Sequence, residues 1–402
     1  MVRMYKEDKI LHNFEYYTPT KVVFGKQAEM ETGKLVKAQN CKKVLIHYGG
    51  SSAKKSGLLD RVCESLEAEG IAYVMLGGVV PNPHLSLVRE GIELCKKEGV
   101  DFILAVGGGS VIDSSKAIGY GLFNGGDVWD FYDGIRKPEG CTPIGTILTI
   151  AAAGSEMSDS SVITNEDGWL KRGYSNNHCR CKFAILNPEL TYTLPDYQTQ
   201  CGCVDILMHT MERYLNHGEN MEMTDGISEA LMRTVMKSAK ILKNDPCNYE
   251  ARAEVMWAGS LSHNGLTGCG TDGGDWASHQ IEHELGGMFD VAHGAGLAAV
   301  WGSWARYVHT YSIDRFVKFA VNVLGVEAKD TKEATAMAGI EAMEDFYRSI
   351  DMPVSISELG VTVTDAQIEE LAEKCTFFGR RTVGCVKALG KEDLMKIYAM
   401  AR

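Results

Sequence analysis

The sequence predicts a two-part α/β protein: a parallel sheet with helices on both faces in residues 1–190, then an all-helical half over 191–402. Three observations predict it. Short apolar runs alternate with amphipathic stretches through the first half, glycine-rich turns close two of those runs, and beyond Pro188 and Pro195 only helical periodicity remains. A chain of 402 residues also exceeds what one hydrophobic core usually serves, which favours two domains.

In chain order, residues 14–24 are aromatic and β-branched with Pro19 among them, the composition of an edge strand or hairpin. Residues 43–48 read as a strand ending at Gly49-Gly50-Ser51-Ser52. A helix over 57–69 follows, then a strand over 71–76, a Pro81-Asn82-Pro83 turn and a helix through Lys97. Residues 101–106 form a third strand, closed at once by Gly107-Gly108-Gly109-Ser110, and 142–150 and 183–186 are further strands. Such alternation gives a parallel sheet whose ligands sit beyond the carboxyl ends of the strands, where both turns fall. Residues 198–215, 224–242, 249–263, 294–307 and 334–350 carry helical periodicity.

The net charge of −12 argues against nucleic acid or an anionic membrane as partner, since both call for a basic surface. No apolar run approaches the ~18 residues of a membrane span, and a cytoplasmic location is expected. The twelve cysteines are scattered, with C-x-C rather than C-x-x-C pairs at Cys179/Cys181 and Cys201/Cys203, and are expected to be reduced.

Gly107-Gly108-Gly109-Ser110 lets a phosphate approach the main chain, and Ser110 with Asp113 has capping-box spacing. A helix starting there offers free N–H groups and a positive dipole end to a pyrophosphate; a plain strand-to-helix turn is the other reading. Neither turn is a G-x-G-x-x-G fingerprint, so a standard Rossmann site is not indicated. At Gly49, Gly50 and Ser52 there is no carboxylate for a ribose 2′-OH, and Lys54-Lys55 follow. That leaves room for a 2′-phosphate; two solvated lysines at a helix start is the alternative. The stretch from Thr149 to Glu156, small residues after a strand, suits the lining of a cleft.

Asp205 and His209 stand at i, i+4 spacing, as do His279 and His283, with His293-Gly294 downstream. Residues so spaced project from one helix face, and imidazole with carboxylate suits a borderline divalent ion such as Fe²⁺ or Zn²⁺. An ordinary helical pair remains open for Asp205/His209. His279-Gln280-Ile281-Glu282-His283 also fits the H-x-x-E-H pattern of inverzincin peptidases, in which Glu282 would be the base.

Together these residues carry a resemblance. Tyr17-Thr18-Pro19-Thr20-Lys21, Tyr48-Gly49-Gly50, Pro81-Asn82-Pro83, Gly107 to Ser110, Gly154-Ser155-Glu156, Asp205-x-x-x-His209 and the His279/His283/His293-Gly294 spacing resemble the iron-containing alcohol dehydrogenases, most of all their butanol dehydrogenase subgroup. The resemblance implies the family's fold, shared with dehydroquinate synthases: a dinucleotide-binding α/β domain and a helical domain with a metal between them. It implies Asp205, His209, His279 and His293 as ligands, His283 as a non-ligand histidine near the nicotinamide, and Gly107, Gly108, Gly109 and Ser110 as the pyrophosphate loop. Thr149 and Lys171 match cofactor-lining positions, and Gly49 stands where NAD-preferring members carry Asp. Ala153, Asn187 and the glycine-rich stretch from Gly268 to Gly274 depart from the pattern.

The expected activity is metal-dependent, NAD(P)-linked interconversion of short-to-medium primary alcohols and aldehydes, with NADP(H) ahead of NAD(H), His283 on the proton path, and a homodimer formed through the N-terminal strand region. A metal- and NAD-dependent lyase of dehydroquinate synthase type is the alternative.

Overall fold

The computed structural model describes residues 11–219 and 221–402. Its strands are β1 (Lys21–Phe24), β2 (Lys43–Tyr48), β3 (Ala72–Leu76), β4 (Phe102–Gly107), β5 (Ile144–Leu148), β6 (Ser160–Asn165), β7 (Leu170–Ser175) and β8 (Phe183–Leu186). Six of them make one sheet in the order β1-β8-β5-β4-β2-β3, and every pairing in it is parallel.

The central strands are apolar throughout because both faces are covered. Alternate β4 residues point to opposite sides. Ile103 and Ala105 join a core with the Leu85–Glu98 and Gly109–Asn124 helices, while Phe102, Leu104 and Val106 join one with the Leu58–Ala68 helix. Strand order reverses between β2 and β4: β3 lies on one side of β2, and β4, β5, β8 and β1 continue on the other. Both glycine-rich turns leave this switch point, where a parallel sheet opens a crevice for ligands.

Two expectations need correction. The strand expected over 14–24 is confined to Lys21–Phe24, at the sheet edge, and residues 11–20 hold no strand. The β6–β7 hairpin was not anticipated. It pairs Ser160↔Ser175 through Asn165↔Leu170, outside the main sheet.

Beyond β8 the chain is built on helices, and those at Asp196–Tyr214, Ala277–Phe289 and His293–Val308 share one core with Trp301 and Trp304 at its centre. All twelve cysteines are free, and no helix of the described residues is long and apolar enough to cross a membrane.

Candidate metal and cofactor site

Three helices supply the cluster. The Asp196–Tyr214 helix carries Asp205 and His209, the Ala277–Phe289 helix carries His279 and His283, and His293 is the first residue of the next helix. Glycine brings two of these helices together: a Cβ on Gly294 would lie 2.0 Å from the Cys201 carbonyl oxygen. No side chain fits there, and the close crossing sets His293 over Asp205.

Asp205 Oδ1 is the common point. It lies 3.4 Å from His209 Nδ1, 3.5 Å from His279 Nε2 and 3.6 Å from His293 Nε2. Asp205 Oδ1, His209 Nδ1 and His279 Nε2 are buried and lack a hydrogen-bond partner. Leaving three such atoms unsatisfied costs free energy that a native structure normally recovers with a ligand. Metal–ligand lengths of about 2.0–2.2 Å place two ligands of a tetrahedral ion about 3.4 Å apart, which is the spacing seen. Asp205, His209 and His279 therefore form a compact donor set that fits a divalent ion, while His293 reaches Asp205 but groups with Glu282 and His283. His293 is only half-buried, so the cluster is accessible to solvent on its side.

Two carboxylates stand behind the imidazoles. Glu212 accepts the Nδ1–H of His279, and Glu282 accepts that of His293. This fixes the tautomer that presents each Nε2 to Asp205. Burial opposes a charge on His279, but Glu212 and Asp205 outweigh it and raise the imidazole to about 9. Burial and the neighbouring imidazoles hold His209 well below the usual histidine range.

His283, one turn from His279, does not join the group around Asp205. It lies with Glu282 and His293, its ring 5.9 Å from that of His293. Burial, then Lys171 and His293, push its imidazole well below the usual range. The peptidase reading fails on the same geometry. Glu282 is committed to His293 and to Lys171 Nζ at 3.1 Å, and the His279 and His283 rings stand 6.3 Å apart.

Most of the expected cofactor residues gather at the switch point. Gly49, Gly50 and Ser52 follow β2, Gly107 to Ser110 follow β4, and the Thr149 N–H donates to the Gly107 carbonyl at 3.0 Å. The glycines of the second turn act by space and not by unusual torsions, since none of Gly107, Gly108 or Gly109 has positive φ. A Cβ on Gly108 would meet Ile150 at 2.9 Å, and one on Gly109 would meet Ala153 Cβ at 2.8 Å.

Asp113 and Lys171 lie elsewhere. The expected Ser110–Asp113 capping box does not form; the helix is capped at Gly108 without a side-chain bond. Asp113 turns inward, accepting from Ser155 Oγ at 2.5 Å and Val162 N–H at 3.0 Å, and burial raises its carboxyl. Lys171 sits on β7 with its amine on Glu282. Sequence reasoning missed Glu212, and also His263, whose ring packs 4.0 Å from that of His209 with its Nδ1 unpartnered. The i, i+3 placement of Glu212 after His209 was the one local signal available.

Glycine-rich turns at a parallel-sheet switch point and a histidine–aspartate cluster on helices suit an enzyme that pairs a nucleotide with a metal ion. Comparison with known proteins agrees. The model for iron-containing alcohol dehydrogenases matches residues 19–188, and that for the C-terminal part of the Fe-containing alcohol dehydrogenase family matches 199–402. The chain belongs to the iron-containing alcohol dehydrogenase family and is butanol dehydrogenase-like within it. It is 39% identical to a probable NADH-dependent butanol dehydrogenase 1 of Bacillus subtilis, covering 96% of this chain and 99% of that one. It is 32% identical to the NADPH-dependent aldehyde reductase YqhD of Escherichia coli, covering 98% of this chain and 100% of the relative. A crystal structure of NADH-dependent butanol dehydrogenase A from Thermotoga maritima superimposes with a TM-score of 0.94 at 37% identity, over 98% of this chain and 100% of that one. The reaction class follows: NAD(P)-linked alcohol oxidation and aldehyde reduction, with a nicotinamide cofactor and a metal. The lyase alternative is not favoured.

Proposed function

We propose that the chain reduces short-to-medium primary aldehydes such as butanal, and oxidises the matching alcohols, using NADPH ahead of NADH and one Fe²⁺ or Zn²⁺. Asp205, His209, His279 and His293 are the residues that would hold the ion. The observation that carries the reading is the approach of three imidazole nitrogens to Asp205 Oδ1 at 3.4, 3.5 and 3.6 Å, two of them and that oxygen without partners.

When bound, the ion supplies Lewis acidity toward the carbonyl oxygen and the nicotinamide supplies the hydride. The chain does the rest. Gly107 to Ser110 offer main-chain N–H groups at a helix start to the pyrophosphate. Glu212 and Glu282 keep two ligand rings oriented. His283, whose ring lies 5.9 Å from that of His293, is the candidate for moving a proton toward the alcohol oxygen. The preference for NADPH is supported by the absence of a carboxylate from Gly49 to Lys55 and by the exposed Lys54 and Lys55. Relatives carry names of both kinds, NADH-dependent and NADPH-dependent.

A cytoplasmic protein is supported by twelve free cysteines, which suit a reducing compartment. A homodimer is supported by β1, an edge strand that pairs only with β8 among the described residues.

The test is NADPH oxidation with butanal before and after chelation, with Fe²⁺ or Zn²⁺ added back. Loss on chelation and recovery with metal is expected; a rate indifferent to chelation would remove the metal from the reading.

A further inference from the structure

The glycine-rich stretch from Gly268 to Gly274 leads into Trp276, the residue that caps the helix bearing His279. Its indole ring stands 5.4 Å from the ring of His279, 6.0 Å from that of His209 and 5.7 Å from that of His263. Several contacts fix it there. The Arg213 guanidinium lies over the indole, 4.4 Å from the ring centre, and is itself held by the carbonyls of His209 at 2.8 Å and Ser262 at 3.0 Å. The indole N–H donates to the Gly273 carbonyl at 2.7 Å. Asp275, the preceding residue, is buried and accepts the N–H groups of Ala277 at 3.1 Å and of Cys385 and Val386 at 2.8 Å each.

The backbone is bent to suit. Trp276 has φ +62°, a conformation that bulky residues rarely adopt. Gly274 has φ +93°, and a Cβ there would lie 2.9 Å from the Glu212 carbonyl oxygen and 3.2 Å from the indole nitrogen. A side chain at 274 would therefore crowd the indole, which glycine leaves in place.

Asp205, His209, His279 and His283 are buried, while His263, Trp276 and His293 keep part of their surface open. His293 makes its ring contacts with His279 and His283, whereas His263 and Trp276 both contact His209. The open surface around the cluster thus belongs to His293 on one side and to Trp276 with His263 on the other. We propose that Trp276 is a specificity-determining residue of the aldehyde site: a fixed wall that admits straight chains and bars those that branch or carry a ring next to the carbonyl. This rests on the aldehyde reading proposed above.

The test compares butanal with cyclohexanecarbaldehyde, each reduced with NADPH by the full-length protein loaded with Zn²⁺. Wild type should favour butanal by at least about tenfold in kcat/KM, the discrimination that a few misplaced methylenes produce against a rigid wall. Trp276→Leu should lower that ratio at least about tenfold, with zinc content unchanged. Both aldehydes are measured on one preparation, so any loss of folded protein cancels from the ratio. Trp276→Phe, which removes one ring of the indole, should lower it by less, about threefold.

Should Trp276→Leu fail to accumulate, the phenylalanine variant carries the comparison, beside a wild-type series in which 2-methylpropanal and 2,2-dimethylpropanal should fall stepwise below butanal. Equal use of butanal and cyclohexanecarbaldehyde by wild type, a ratio unmoved in the variants, or loss of zinc from Trp276→Leu would overturn the inference. Wild-type protein that reduces no aldehyde would instead sink the reading on which it rests.

Discussion

The carboxylate of Glu212 takes the Nδ1–H of His279, and this turns the opposite ring nitrogen toward Asp205 at 3.5 Å. Because Glu212 is one turn beyond His209, a single helix supplies two first contacts and the support for a third. Carboxylate support of this kind raises ligand basicity, and its loss typically costs about 10–100-fold in metal affinity. Glu212→Gln should show that loss with the fold retained. Metal content after dialysis, alongside circular dichroism, checks it; full occupancy in the variant would show the pairing to be incidental.

His279 and His283 share a helix face but face different neighbours. His279→Ala should lose metal and activity together. His283→Ala should keep its metal and turn over more slowly, by about 10²–10⁴-fold if it moves the proton. Metal analysis beside steady-state rates separates the two, and equal metal loss would mean that the ligands are wrongly assigned.

Gly294 is where the helix bearing His293 meets the backbone of Cys201. A methyl group there must push the helices apart, which costs about 1–3 kcal/mol in a packed interior. Gly294→Ala should lower the melting temperature and loosen metal binding, since the same displacement carries His293 away from Asp205. Thermal unfolding with and without Zn²⁺ would show it as a smaller gain from added metal.

At Gly49 a side chain has room: a Cβ would find the Val79 carbonyl oxygen at 3.4 Å and Val111 at 3.8 Å, ordinary contacts. Gly49→Asp should therefore fold, repel a 2′-phosphate and accept a ribose hydroxyl. The ratio of kcat/KM for NADPH over NADH should fall by at least about tenfold. An unchanged ratio would place the adenosine ribose elsewhere.

Away from the site, Asp393 offers a pH test. Partial burial pushes its carboxyl up, but Lys387, Tyr307 Oη at 2.6 Å and the Gly390 N–H at 3.0 Å win and hold it at about 2, against 3.8 ordinarily. A depressed carboxyl stabilises the fold above its unfolded value, and that contribution fades as pH falls from about 4 through 2. Asp393→Asn should cost about 1 kcal/mol near neutrality, less than the shift alone implies because the group lies near solvent. Denaturant melts at pH 7 and pH 2.5 should show that difference shrinking.

The parallel sheet was legible because its central strands are buried on both faces and read as largely apolar runs; residues 43–48 and 183–186 fall where the alternation put them. The β6–β7 hairpin was not, for Ser161, Thr164, Lys171 and Arg172 read as surface and are buried only by partners far along the chain. For the candidate site, i, i+4 spacing located the two histidine helices, but their convergence depends on close helix crossings such as that at Gly294, which no local window reveals. Glu212 and Glu282 looked like ordinary helical acids, and Asp113 like a cap, because the groups that claim them arrive from other elements. Strand order was equally out of reach.

The hairpin is fastened on two sides. Asp113 and Lys116 of the Gly109–Asn124 helix hold β6 and the segment before it, while Lys171 and Arg172 of β7 hold the Ala277–Phe289 helix. One flank of the crevice is thereby riveted. The buried ion pairs Lys171–Glu282 and Arg172–Glu284 thus tie the seat of the hairpin to the placement of His279, His283 and, through Glu282, His293.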